Sequence, residues 1–136
     1  MPSPTQHFKD LGAPLRNPRW SWGAEGESGS IILRAWRDEI EPINGRDHIR
    51  LTNNAVYNAS PHPGWRERLR HIQQLREGAV GYVVVCTAQK RTKSNRRLKS
   101  FDHEHLYRVI RVVDLSGDQW AELGEAVPIE QYTANE

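Results

Sequence analysis

The 136-residue chain carries a net charge of +2, is 37% hydrophobic and has a mean hydropathy of −0.76. That length suits one domain with a single core, and the lack of any apolar run of about 18 residues argues against a membrane-spanning helix. Five tryptophans argue against global disorder, and the single cysteine, Cys86, excludes an internal disulfide.

The opening MPSPTQHFKD contains no apolar h-region, so no secretory signal is expected and a reducing cytoplasm is the expected setting. The charge is unevenly spread. Lys90, Arg91, Lys93, Arg96, Arg97 and Lys99 fall within ten residues that hold no acid. Arg66, Arg68, Arg70 and Arg76 lie on one predicted helix, whereas the stretch from Val113 onward is acidic. Such asymmetry predicts one positive side that attracts phosphate or another anion.

In chain order, residues 1–18 hold four of the eight prolines and read as an irregular N-terminal arm with a short turn at His7–Leu11. Residues 19–132 read as one globular domain. Trp20-Ser21-Trp22-Gly23 alternates, which predicts a strand with both tryptophans on one face. A glycine-containing turn, Glu25–Ser30, leads to a second strand, Ser30–Arg37. There Ile31, Leu33 and Ala35 take one face and Ile32, Arg34 and Trp36 the other, which predicts a central strand. Glu41–Arg46 is a turn with a hairpin corner at Asn44-Gly45, followed by a strand over Asp47–Thr52 and a polar loop over Asn53–Gly64.

Gly64–Glu77 is the one clear helix. Trp65, Leu69, Ile72 and Leu75 form its apolar stripe, Pro63 precedes it and Gly78 follows it. AVGYVVVCTA (79–88) is a buried strand, with Cys86 an inert core thiol within it. The basic loop Gln89–Lys99 follows, then a short turn over Ser100–His105. Leu106–Leu115 is a strand closed by Ser116-Gly117-Asp118. Gln119–Leu123 pairs back as a hairpin, and Ala126–Tyr132 is expected as an edge strand carrying Pro128. The expected class is α+β: a small, mostly antiparallel curved sheet or β-barrel with one main covering helix.

The candidate binding residues are Trp20, Trp22 and Trp36, with Asp38 and Asn53 as the nearest groups to read a base edge. Aromatic walls suit an extruded or single-stranded base, because every base offers a π-face. Packing of these tryptophans in the core is the plainer reading; Trp65 and Trp120 are expected in the core. The candidate phosphate contacts are Arg66, Arg70, Lys90, Arg91, Lys93, Arg96, Arg97 and Lys99, and a solvated loop is the plainer reading of the basic run. Asp102-His103-Glu104-His105 is dense in metal-ligating side chains but reads as a turn, since the other histidines lack metal-site spacing. Asp38-Glu39 resembles half of a carboxylate metal site, but the strand Val80–Ala88 offers no acid-x-lysine partner. No G-x-S-x-G or P-loop motif is present. No cofactor, catalytic residue or metal ligand is therefore assigned.

The segments WSWGAEGESGSIILRAWRDEI, WRERLRHIQQLR, GYVVVCTA and YRVIRVVDLSGDQWAELGEAVPI resemble a family of bacterial proteins without an assigned activity. In element order and size the chain is also similar to PUA-like domains, the group that includes EVE, ASCH and YTH modules. DLSGDQWAEL is the part most like them. The resemblance implies a small β-barrel with a covering helix, binding RNA or modified DNA bases through an aromatic pocket. The leading expectation is thus a nucleic-acid-binding module for DNA or RNA. A small metal-dependent hydrolase or nuclease using Asp38, Glu39 and His103 or His105 is one alternative. A protein-interaction subunit that docks a partner through exposed tryptophans is the other.

Overall fold

The computed structural model describes residues 3–26, 28–58, 60–89 and 97–134. In order, the elements are α1 (Pro4–Asp10), β1 (Gly23–Glu25), β2 (Ile31–Trp36), β3 (Ile40–Ile43), β4 (Arg46–Arg50), α2 (Asn54–Tyr57) and α3 (Pro63–Arg76). There follow β5 (Gly81–Ala88), β6 (Leu98–Phe101), β7 (His105–Leu115), β8 (Asp118–Pro128) and α4 (Ile129–Ala134). A 3-10 turn, Arg37–Glu39, joins β2 to β3. The strands form one sheet in the order β1-β2-β5-β7-β8-β4-β3, with β6 also paired to β5. Every pairing is antiparallel except β2–β5.

The fold is α+β, a mostly antiparallel sheet with α3 as the main covering helix. The sheet curls until β4 approaches β2, but no strand ladder joins the two and the barrel stays open. The closed β-barrel expected as one form of this fold is therefore corrected to an open, curved sheet. Its end strands explain why. β1 spans only three residues, and Pro42 on β3 has no N–H to give a further strand.

The apolar alternation of β2 and β5 sorts the core into two layers. Ile31, Leu33, Val83 and Val85 pack with Ile72 of α3. Ile32, Val84 and Cys86 face the opposite side, where they meet Phe8, Leu11, Ala13 and Leu15. Within the segment expected as an irregular arm, Pro4–Asp10 is therefore helical and Phe8, Leu11, Ala13 and Leu15 belong to the core. Ser3 caps α1 by accepting from the Gln6 amide at 3.1 Å, and Pro4 starts the helix. The tail also differs from expectation. β8 runs unbroken to Pro128 and gives way to α4, whose Tyr132 meets Tyr82 edge-on at 5.1 Å. No separate edge strand covers 126–132.

Both hairpin corners place two successive residues at positive φ, as right-twisted strands require. These are Asn44 (53°) with Gly45 (77°), and Ser116 (52°) with Gly117 (83°). Asn44→Ala puts a methyl side chain in the left-handed region and is expected to cost about 1 kcal/mol. The measurement is the urea midpoint, and an unchanged midpoint would contradict the turn assignment.

Candidate functional site

β2 and β5 run parallel and finish side by side, with Trp36 opposite Cys86. Beyond that point they part. The chain leaving β2 crosses to β3 and β4, at the far end of the sheet order, while β6 folds back on β5. The divergence opens a cavity of about 330 Å³, within the range of about 300–1,000 Å³ usual for small-ligand sites. Its walls come from the 19–22 loop, the end of β2, the chain after β4, the start of α3, and Leu98 of β6.

Four of the five expected pocket residues line this cavity: Trp20, Trp22, Trp36 and Asn53. All four are half-buried. The expected strand over Trp20 does not form. Asn17-Pro18 starts a turn in which Asn17 Oδ1 accepts from the Arg19 amide at 2.9 Å, and β1 begins only at Gly23. Trp20 therefore reaches the pocket from a turn, and an Asn-Pro pair is a readable turn signal. Asp38 is exposed and is not among the lining residues; Glu39 takes its place. The 3-10 turn is the cause. Strand alternation ends at Trp36, and the three-residue turn Arg37–Glu39 replaces the period of two by a period of three, so face assignments carried on from the strand no longer hold at Asp38.

Trp22 belongs to an aromatic cluster. Tyr57 meets it edge-on at 5.0 Å, His62 lies at 5.3 Å, and Tyr57 stacks on Trp65 at 5.5 Å. Gly64 makes this packing possible, because a Cβ there would lie 2.5 Å from Trp22 Nε1 and 2.6 Å from the Trp20 carbonyl. Trp65 and Trp120 are buried as expected, though Trp65 also lines the cavity.

A buried polar network holds the loop that carries the tryptophans. Glu67 Oε2 accepts from Ser21 Oγ at 3.0 Å and Oε1 from the Trp22 amide at 2.9 Å. Arg68 Nη1 donates to the Leu51 carbonyl at 3.0 Å, and Nη2 to the Trp22 carbonyl at 2.9 Å and to the Arg34 carbonyl. One buried guanidinium thus ties α3 to β2, to the entry loop and to the chain after β4. Burial lowers the Arg68 pKa to about 10, with Glu67 opposing that shift, so the side chain stays charged at neutral pH. Trp65, Ile72 and Leu75 of the stripe read from the sequence do pack inward, but the buried face of α3 is more polar than that stripe. It carries Glu67, Arg68 and His71 beside Trp65 and Ile72, while Leu69 is exposed.

The lining holds four arginines, Arg19, Arg34, Arg50 and Arg68, and one acid, Glu39. Arg50 Nη2 meets Glu39 Oε1 at 2.6 Å, and Asp118 lies 3.9 Å from Arg50 Nη1. Burial alone would lower the Arg50 pKa; the Glu39 hydrogen bond and charge outweigh it and raise the value. Cys86 also lines the cavity, and burial raises its pKa, which keeps the thiol protonated. Arg34 and Arg68 were hidden from sequence reasoning as a strand charge and one of several helix arginines. The readable signal was their position among apolar residues, Arg34 between Leu33 and Ala35 and Arg68 three residues after Trp65.

Leu98 lines the cavity; its chain neighbours Arg97 and Lys99 are exposed and are not among the lining residues. Lys90, Arg91, Lys93 and Arg96 lie outside the described residues. Arg66 and Arg70 are exposed on α3 and are not among the lining residues; Arg70 pairs with Glu25 at 3.9 Å. Arg76 is engaged elsewhere, with Asp114 and Gln119 at about 3 Å. His105, the first residue of β7, faces Asp102 of the preceding turn at 3.4 Å. Among the described residues, no three His, Cys, Asp or Glu side chains gather where they would hold a metal ion, and no helix is long and apolar enough to cross a membrane.

Comparison with models of protein families, with curated proteins and with solved structures finds no match for this chain.

Proposed function

We propose that the protein is a nucleic-acid-binding module that stacks one base, extruded or modified, in this aromatic pocket. The observation that carries the reading is the meeting of Trp20, Trp22, Trp36 and Asn53 around one cavity rich in arginine. The tryptophan faces supply stacking and Asn53 a group for a base edge. Its side chain makes no cap bond at the start of α2, although its backbone carbonyl receives the Val56 and Tyr57 amides. Arg97 and Lys99, with the basic run that begins at Lys90, follow the phosphate backbone. The likeness of layout to PUA-like modules belongs to the same proposal, and a cytoplasmic setting goes with it.

The test is binding of short labelled single-stranded and duplex DNA and RNA, with and without methylated bases, at two salt concentrations. Affinity is expected to fall with salt. Trp36→Ala is expected to weaken binding roughly ten- to a hundredfold, in line with about 1–3 kcal/mol per stacked base. Neutralising Arg97 and Lys99 together is expected to flatten the salt dependence instead. Binding that is indifferent to Trp36→Ala yet lost on neutralising those cations would reduce the protein to a nonspecific backbone binder. No binding to any nucleic acid would sink the reading and favour a protein partner for the tryptophans.

A further inference from the structure

We infer that the pocket selects a base edge that presents a carbonyl oxygen, as in uracil, thymine, guanine or hypoxanthine, over one that presents an exocyclic amine. This rests on the base-binding reading above and specifies its ligand. The argument is a census of the polar groups around the cavity. Two of its three hydroxyls are already committed, and the third, on Tyr57, can donate or accept. Ser21 Oγ donates to Glu67 and accepts from the Asn17 amide at 3.0 Å. Thr52 Oγ1 donates to Asp118 at 2.8 Å and accepts from the Gln119 amide at 2.9 Å. The one lining carboxylate, Glu39, is held by Arg50.

What faces a ligand is therefore rich in donors. Arg34 has five N–H groups. Nη1 reaches the Ser21 carbonyl at 3.3 Å, and the guanidinium also lies against the Cys86 thiol. Arg68 Nε is buried and has no acceptor among the described residues. A ligand oxygen at this end of the cavity answers guanidinium donors that the protein leaves unanswered. An exocyclic amine there sets donor against donor and leaves Arg68 Nε without an acceptor, and sites of that kind discriminate strongly. Asn53 supplies either polarity and does not alter the balance.

Exchanging cytosine for uracil, or adenine for hypoxanthine, replaces the amine by a carbonyl with almost no change of shape. The experiment uses short strands of abasic sugar-phosphate carrying a single central base: uracil, cytosine, hypoxanthine, adenine or none. Every strand presents the same phosphates, so the backbone contribution cancels. Uracil is expected to bind tighter than cytosine, and hypoxanthine tighter than adenine, by roughly ten- to a hundredfold. In Arg34→Met, which keeps the length of the side chain and removes its donors, each ratio is expected to fall toward one. Ratios near one, or reversed, in the unmodified protein overturn the carbonyl preference and leave base binding intact. A base-free strand that binds as well as the others, or binding by none of them, overturns the base-binding reading and this inference with it.

Discussion

Glu67→Ala is expected to destabilise the protein by about 2–6 kcal/mol, because it leaves two buried donors without an acceptor at about 1–3 kcal/mol each. Glu67 and Arg68 are both almost fully buried, 2% and 4% exposed, and Glu67 is the first opposing charge to the burial cost of Arg68. Without the carboxylate, the Trp22 amide and the Ser21 hydroxyl lose their acceptor, and Arg68 loses the largest charge that opposes its burial while Arg34 stays beside it. Glu67→Gln separates the two effects. Its side-chain oxygen still receives the Trp22 amide, so part of the loss is recovered and the remainder reports the charge. Urea unfolding followed by tryptophan fluorescence measures both variants. A Glu67→Ala midpoint equivalent to less than about 0.5 kcal/mol of change, the scale of an ordinary surface substitution, would show that the network does not organise the fold.

The same substitution bears on function. Glu67 is not a lining residue; it accepts from the Ser21 hydroxyl and the Trp22 backbone amide, and both of those residues line the cavity. A Glu67→Ala protein that still folds is therefore expected to lose base binding through a loosened Trp20–Trp22 loop, while its salt-dependent backbone contacts persist; Glu67→Gln, which keeps an acceptor for the Trp22 amide, is expected to retain more of it.

How far the sequence foretold this depends on which physical signal each part obeys. The β-branched run of β5, the alternation of β2 and the Asn44-Gly45 corner obey local rules of sterics and period, and all three stand where the pattern put them. The gathering of Trp22 and Trp36 was legible because β2 carries Trp36 and Trp22 directly precedes its neighbour β1; Asn53 joins them because β4, which it follows, curls toward β2. The missing part is the buried face of α3. Hydrophobic period ranks Leu69 inside and Arg68 outside, and the structure reverses them. Arg68 is paid for by carbonyls of three segments distant in sequence, which no local window contains. The N-terminal helix was missed for a different reason. Four prolines suggested an irregular arm, yet Pro4 sits at the helix start, where its missing N–H costs nothing, and Phe8 and Leu11 share a face that covers the sheet.

Acid is expected to weaken the fold by up to about 3 kcal/mol between pH 6.5 and 4 through His71 alone. His71 is 1% exposed, and its pKa is lowered from 6.5 to about 4, first by burial and then by Arg68 and Arg70 of its own helix and Arg16 of the N-terminal segment. The sign follows from proton binding. Below pH 6.5 the unfolded chain takes up a proton at this residue that the folded chain refuses. Stability is therefore fully present above about 6.5, falls as the pH drops, and levels off below about 4. The difference of about 2.5 pKa steps sets the size. Glu25 from β1 stands 3.6 Å from His71 Nε2, and being half exposed it offsets only part of the repulsion, so the figure is an upper value. His7 adds a limb of the same sign, since burial and His103 lower its pKa too. His71→Gln removes the larger of the two. Urea unfolding at pH 4, 5, 6 and 7 is expected to show a steep acid limb in the unmodified protein and a shallower one in the variant. Parallel limbs, or a His71 ring that titrates near 6.5 by NMR in the folded protein, would mean that the imidazole is reached by solvent and that α3 packs less tightly on β1 than its buried face requires.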